Sequence, residues 1–371
     1  MKTKKNKLKI IFVTPYFPPK MGGVENYVYN IAKGLKKEYG WDVVVITSNH
    51  VERKKKIEII DGIKIYRLPR WFKISNTPIN PLWYFDIKKI IKLEKPDIVN
   101  AHAPVPFIAD VVTMGLDKTL FVLTYHSGTM KKNKIFSDIM ISFYENLILP
   151  LLAKRANKII CSSDFVKKTI MMPYHSKTIT VHPGVDTSLF KPNSSMKRNK
   201  NVVLFICRYK NMHKMKGLHN LADAMKELPF AKLRIIGEEG NIEGKNIECL
   251  GIKSGKSLAK EIQLSNVLIL PSLANMESFG MVLLEAMACK IPVIGTKIGG
   301  IPEVISHERD GLIVPPQDPK TLAKAIKKIL TNKKLAKSMG EKGYKKIKEK
   351  YLWKYKIAET EMIFNELTSQ L

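Results

Sequence analysis

Two doubly wound α/β domains, each a parallel sheet between helices and facing one another across a central cleft, form the fold class that this sequence predicts. Three observations predict it. Short apolar runs alternate with helical patterns through both halves of the chain, which is how crossover units of a parallel sheet read. The 371 residues are enough for two domains with sizeable cores. A polar, basic stretch from Lys191 to Asn201 separates the two series, so the domains are placed at 1–190 and 191–351.

Composition narrows the class. Hydrophobic content of 45% and charged content of 26% are those of a soluble globular protein. Cys161, Cys207, Cys249 and Cys289 lie far apart with no C-x-x-C pair, and read as core residues in a reducing compartment. Lys2 to Lys9 is basic, but Leu8 to Val13 is too short for the apolar core of a secretory signal. The longest apolar stretch, Ile139 to Leu152, is interrupted by Glu145, Asn146 and Pro150, which argues against a spanning helix. A cytoplasmic protein is expected. The net charge of +30 favours anionic partners: nucleotide diphosphates, acidic lipid surfaces or nucleic acid. Nucleic acid is the weakest of these, because no basic–aromatic module is present. A lysine-rich composition, with Lys as the default solubiliser, accounts for the charge without any partner.

The elements follow in order. Leu8 to Thr14 is a buried strand stopped by Pro15, Pro18 and Pro19; Gly22-Gly23-Val24-Glu25 then opens a helix over Tyr27 to Lys37. Strand, glycine turn and helix suit a phosphate, although the full G-x-G-x-x-G is absent. Asp42 to Thr47 and Ile63 to Leu68 are strands. Trp71, Phe72, Trp83, Tyr84 and Phe85, set among prolines, are expected to pack for the most part as a satellite core.

Asp86 to Leu93 is helical. The strands Asp97 to Ala101 and Leu120 to Thr124 end near His102 and His126, where open α/β sheets bind their ligands. His126 is the stronger candidate, since Ser127-Gly128 leaves room beside it. From Met130 to Lys154 a helical stripe carries Phe136, Ile139, Met140, Phe143, Leu147 and Ile148. Core packing is the favoured reading of it; Lys131, Lys132 and Lys134 make interfacial membrane docking the second reading.

The second series has strands at Val202 to Cys207, Lys232 to Gly237, Ile247 to Leu250 and Val267 to Leu270. Helices are expected at Gly217 to Leu228 and Ser257 to Ser265, and again through the tail: Leu322 to Leu330, Lys334 to Lys350 and Trp353 to Leu367. Arg208 with Lys214, Lys216 and Gly217 places cations beside a helix start, a diphosphate-binding arrangement.

The stretch from Pro271 to Glu303 carries two carboxylates, Glu277 and Glu285, between apolar strands. Ser278 is read as the cap of a helix with Gly280 in its first turn. Were both glutamates on its axis, roughly 12 Å would separate them, about the reach of a sugar nucleotide. No D-x-D or H-E-x-x-H offers metal ligands, no P-loop is present, and no G-x-S-x-G elbow occurs.

Glu277-Ser278-Phe279-Gly280 through Glu285-Ala286-Met287-Ala288, then Pro292-Val293 and Gly299-Gly300-x-Pro302-Glu303, resembles the signature of the family-4 retaining glycosyltransferases. Gly22 to Glu25, Ala101-His102, His126, Pro183-Gly184-Val185-Asp186, Arg208 with Lys216-Gly217, Ile236-Gly237-x-x-Gly240 and Asp310-Gly311-Leu312-x-Val314 match in the same order over nearly the whole chain. The resemblance implies the two-Rossmann GT-B fold, with a last helix at about 352–371 completing the first domain. It implies a nucleotide-diphosphate sugar as donor substrate and no cofactor or metal. It gives Glu285 the ribose hydroxyls, Glu277 the sugar hydroxyls, and Arg208 with Lys216 or Lys214 the diphosphate. Amides after Ser278, through Phe279, Gly280, Met281 and Val282, would assist. Gly22 and Gly23 would let the first-domain loop approach the phosphate, and His126 would contact the sugar near the reacting carbon.

Three positions depart from the family pattern: Cys207 and Lys290 replace glycines, and the Arg208 to Lys216 loop is long. A left-handed turn at Lys290 would be strained. The expected activity is metal-independent, retaining transfer of a hexose to an acceptor hydroxyl, lipid-linked or on a glycan, with domain closure excluding water. Peripheral contact with an anionic membrane would suit a lipid acceptor. An epimerase of the same architecture is the nearest alternative.

Overall fold

The structure is a computed structural model that describes residues 7–74, 77–131, 135–196, 200–238, 242 and 244–369. It divides into two compact units: Met1–His182 with Trp353–Leu371, and Pro183–Leu352. The division falls at 182/183, ahead of the basic stretch at which composition placed it.

In the first unit an eight-stranded sheet runs in the order Thr178–Thr180, Lys158–Cys161, Leu120–Tyr125, Ile98–Ala103, Lys9–Val13, Asp42–Asn49, Ile63–Pro69, Lys56–Ile60. All pairings are parallel except the last, where Lys56–Ile60 turns back on Ile63–Pro69. Lys9–Val13 is central, flanked by Ile98–Ala103 and Asp42–Asn49. The chain order reverses beside it, so ligands are expected at the carboxyl ends of Lys9–Val13 and Ile98–Ala103. Helix Trp353–Thr368 belongs to this unit, and Phe364 packs on Phe12 and Trp41 at centroid distances of 6.5 and 5.9 Å.

The second unit has six parallel strands: Ile247–Cys249, Lys232–Ile236, Val202–Ile206, Val267–Leu270, Val293–Thr296 and Gly311–Val314. Counted from its own first strand the order is 3-2-1-4-5-6, the doubly wound dinucleotide-binding order. Its switch point lies between Val202–Ile206 and Val267–Leu270. Both faces are buried, which is why these strands read as unbroken apolar runs. Val203, Phe205 and Ile235 meet Leu218, Leu221 and Ile326 on one face. Leu204, Ile236 and Leu268 meet Leu283, Leu284 and Ile347 on the other.

Two packing expectations are corrected. Of the five clustered aromatics only Trp83 is fully buried, its Nε1 donating to Pro69 O at 2.8 Å; Trp71, Phe72 and Phe85 are exposed. Of the stripe on the 135–155 segment, only Ile148 packs against the core among the described side chains. Ile139, Met140, Phe143 and Leu147 face solvent, while Tyr144, Leu149, Leu152 and Ala153 fill the interior. Periodicity identified the helix but could not say which face was covered. The side chain of Phe136, the residues Lys132 and Lys134, and Gly240 lie outside the described residues.

Helix Met281–Ala288, which carries Glu285, ends at Cys289, and the next residue, Lys290, is left-handed at φ 59°. That conformation costs a side chain about 1–2 kcal/mol. The Lys290–Glu341 ion pair, at 2.8 Å and partly exposed, returns at most about 1 kcal/mol. Lys290→Gly is therefore expected to raise stability by up to about 1 kcal/mol, read as a higher urea midpoint with an unchanged slope; a lower midpoint would refute the strain.

Candidate functional site

The second unit gathers its charged groups where the switch point predicts. Arg208 follows the Val202–Ile206 strand and is exposed. The chain then makes a short 3-10 turn at Lys210–Met212 and reaches helix Leu218–Lys226. Lys216 is half-buried in this connection and its Nζ donates to Glu277 Oε2; Lys214 is exposed. Of the two lysines, Lys216 is the one brought to a sequence-predicted partner.

Glu277 lies on the loop after Val267–Leu270 and is only 8% exposed. Besides Lys216 it accepts from Ser272 Oγ at 3.2 Å, and Ser272 is itself pinned because its carbonyl accepts from Thr296 Oγ1 at 2.6 Å. Leu273 N donates to Met215 O at 2.8 Å, joining the two loops directly. Gly299-Gly300 closes over the same loop. A Cβ on Gly299 would lie 2.0 Å from Glu277 O, and one on Gly300 would lie 1.9 Å from Ser278 O. The Gly-Gly-x-Pro-Glu motif is thus a backbone contact that holds Glu277 in place. Ser272 was missed in the sequence, where nothing distinguishes it from an ordinary loop serine.

Ser278 does not cap the helix, which is a correction. The helix begins at Met281 with Gly280 as its N-cap, left-handed at φ 88°, and Leu270 Cδ2 lies 2.8 Å from where a Cβ would stand. Only glycine fits that geometry. Glu277 is therefore off the helix, and its separation from Glu285 is not a distance along one axis. Phe279 is buried against Tyr351, so its ring belongs to the core and only its main chain remains for a ligand.

Helix Met281–Ala288 buries Leu283, Leu284, Ala286, Met287 and Ala288, leaving Met281, Val282 and Glu285 as its half-open face. The Met281 and Val282 amides lie in the first turn, where a helix has no carbonyl of its own to receive them. Glu285 differs sharply from Glu277. Its Oε2 is closed to solvent and has no hydrogen-bond partner, and burial pushes its carboxyl up to about 8. A buried acceptor without a donor is costly unless a ligand supplies one.

Cys207 is accommodated because its side chain lies in the core. The close approach is made at Gly237 instead, where a Cβ would stand 1.8 Å from Cys207 O.

In the first unit, Gly22 is the N-cap of helix Gly23–Tyr39, extended at φ −146° with no side chain to cap it. Glu25 Oε2 turns back to 2.6 Å from the place a Gly22 Cβ would occupy. The two glycines thus form the turn between Lys9–Val13 and the helix start, as their spacing implied. His126 and His102 come together: His102 Nδ1 lies 2.7 Å from His126 Nε2, with the rings stacked at 5.0 Å. Tyr27 packs edge-on against His126 at 4.9 Å. Burial lowers His126 to about 3, and burial with the neighbouring imidazole holds His102 well below its ordinary value. Both rings are neutral at pH 7, so His126 offers a hydrogen bond and not a charge. The sequence favours His126 alone, whereas in the fold the two histidines are paired.

The Glu285 carboxyl yields a pH test. It titrates near 8 when folded, against an ordinary value of 4.5, so between those values the folded state holds the extra proton. Wild-type stability from this group is present below about pH 4.5 and declines as pH rises through 8. Glu285→Gln should match wild type near pH 4 and exceed it by roughly 1–3 kcal/mol near pH 9, less than the full shift because the residue is half-buried. Parallel melting curves at the two pH values would refute the burial.

Residues 187–346 match the family described as Glycosyl transferases group 1, and residues 21–189 match Glycosyltransferase Family 4. An uncharacterised glycosyltransferase of Methanocaldococcus jannaschii is 26% identical over 376 residues, covering 97% of this chain and 99% of its own. Among solved structures, sucrose-phosphate synthase from Thermosynechococcus elongatus superposes with a TM-score of 0.82 at 19% identity, over 98% of this chain and 100% of that one. An Anabaena protein in complex with UDP-glucose gives 0.73 at 18% identity, over 98% and 100%. The order of strands, the two family matches and these likenesses agree: the chain belongs to the family-4 glycosyltransferases and has their GT-B fold.

Proposed function

We propose that this glycosyltransferase moves a hexose from a nucleotide-diphosphate sugar to an acceptor hydroxyl with retention and without a metal ion. The observation that carries the reading is the second unit's switch point. It sets Glu285, one of whose carboxyl oxygens is buried without a partner, on the short helix that follows Glu277 in the chain, with Lys216, bonded to Glu277, and Arg208 on the connection after Val202–Ile206. Hydroxyls of the donor ribose satisfy Glu285; the diphosphate takes Arg208, Lys216 and the Met281 and Val282 amides. Lys216 exchanges its Glu277 partner for phosphate, which leaves Glu277 to accept from sugar hydroxyls. The UDP-glucose bound by the similar Anabaena protein supports a donor of this class. Gly22, Gly23 and His126 keep the roles that family resemblance gives them: loop approach to the phosphate and sugar contact.

No side chain is placed as a covalent nucleophile. The bond from anomeric carbon to phosphate oxygen breaks while the acceptor oxygen bonds the same face of that carbon. The departing phosphate takes the acceptor proton, and Arg208 and Lys216 offset its charge. Metal independence rests on the absence of D-x-D and H-E-x-x-H from the sequence. Nothing observed favours the epimerase alternative. The acceptor is read as a glycan or a lipid-linked hydroxyl.

A panel of UDP-, GDP- and ADP-sugars, with the product anomer followed by NMR, tests the proposal. Transfer with retained configuration, unaffected by EDTA, is expected. Arg208→Ala should lower kcat/KM by roughly 100- to 1,000-fold with the fold intact, and Glu285→Gln should abolish turnover. Inverted product, strict metal dependence, full activity in either variant, or an epimer formed from donor alone would each overturn it.

A further inference from the structure

We propose that the outward face of the 135–155 helix seats this protein on an anionic lipid bilayer. The segment runs as helix Ile135–Phe143, a π turn at Tyr144–Ile148 and helix Leu149–Arg155, with helical backbone at both joins. Ile139, Met140, Phe143, Leu147 and Leu151 are 65%, 58%, 59%, 53% and 64% exposed. Between residues 139 and 153 the only other exposed side chain is Asn146. A charge-free apolar strip about 18 Å long, at 1.5 Å per residue, is unusual on a chain in which 26% of residues are charged.

Charge decides what covers it. The chain carries +30, so apposing two copies through this face opposes like charges, whereas an anionic surface gains from every approach. Cations bracket the strip: Lys131 before it and Lys154 after it are exposed, and Lys177 Nζ lies at the same end, 2.9 Å from Lys154 O. The helix's one central acid, Glu145, points away, accepting from Met130 N at 3.0 Å and Thr129 Oγ1 at 3.3 Å. No helix among the described residues is long and apolar enough to cross a membrane, so the strip lies in the interface. Glu145 thereby ties the seated helix to the loop that follows His126. On the transfer reading, this makes a lipid-borne hydroxyl the acceptor; the docking itself does not depend on that reading.

Flotation with vesicles of phosphatidylcholine alone, or of equal parts phosphatidylcholine and phosphatidylglycerol, tests the seat. The full chain should float with the anionic vesicles, more weakly as salt rises, and not with the neutral ones. Leu147→Gln with Leu151→Gln, both exposed and therefore neutral to folding, should weaken binding roughly tenfold or more. Donor turnover with a water-soluble acceptor should be unchanged in this variant. Absence of flotation at low salt, or equal binding by the variant, overturns the proposal. A concentration-dependent dimer that the variant loses, without vesicle binding, assigns the face to a second copy instead. Flotation that persists in a protein unable to turn over any nucleotide sugar would sink the transfer reading and leave the seat standing.

Discussion

The Lys216–Glu277 ion pair is the interaction around which the second unit's site is arranged. It joins the loop after Val202–Ile206 to the loop after Val267–Leu270, the two strands between which a doubly wound sheet opens its ligand crevice. A largely buried pair is stable only when each charge has further partners, and removal of one partner strands the other. Here Ser272 supplies the second bond to Glu277, and the Leu273–Met215 hydrogen bond fixes the spacing of the loops. Gly299-Gly300 packs so closely on Glu277 and Ser278 that no side chain could be inserted. The carboxylate is therefore held by contacts from three loops.

Glu285 supplies the contrast. The two glutamates look equivalent in sequence, yet one has two donors on its Oε2 and the other has a closed-off oxygen with none. Burial without a partner favours the protonated form of the Glu285 carboxyl. The two carboxyls therefore sit in opposite electrostatic settings although they share one loop-and-helix segment. Neither arrangement resembles an acid–base couple acting on a shared proton.

Much of this could be read from the chain before its fold was known. The apolar runs marked the parallel strands, since a sheet buried on both faces leaves little room for polar residues. The Gly22-Gly23 turn, Arg208, Lys216 and Glu277 stood out as candidates because they lie in loops after strands, and Glu285, inside a helix, because it stands in a motif order shared with a family. What was not legible depended on contacts distant in sequence. Ser278 has the chemistry of a helix cap, but the N-cap falls two residues later, at Gly280, whose left-handed backbone at φ 88° suits glycine. His102 and His126 are separate signals in the chain and become one stacked pair only when their strands lie side by side. The antiparallel strand Lys56–Ile60 is mostly exposed and broken by Glu58, so it lacks the apolar run that marks the others, and the paired strands Phe72–Ile74 and Thr77–Ile79 are only three residues each.

The 135–155 helix shows how one backbone irregularity serves two faces. Pro150 has no amide to donate and its ring crowds the carbonyl one turn earlier, which a straight α-helix accommodates poorly. The π turn at Tyr144–Ile148, immediately before it, widens the backbone and relieves that crowding. Ile139, Phe143, Leu147 and Leu151 are spaced by four, and in an unbroken α-helix such a row drifts about 40° per step. A wider turn rotates less per residue, so the row stays on one face through the bend. Meanwhile Tyr144 remains in the core and Glu145 holds Thr129 and Met130. The outward row and the Glu145 contacts to the loop after His126 therefore meet at the same irregular turn, immediately ahead of the segment that carries Pro150.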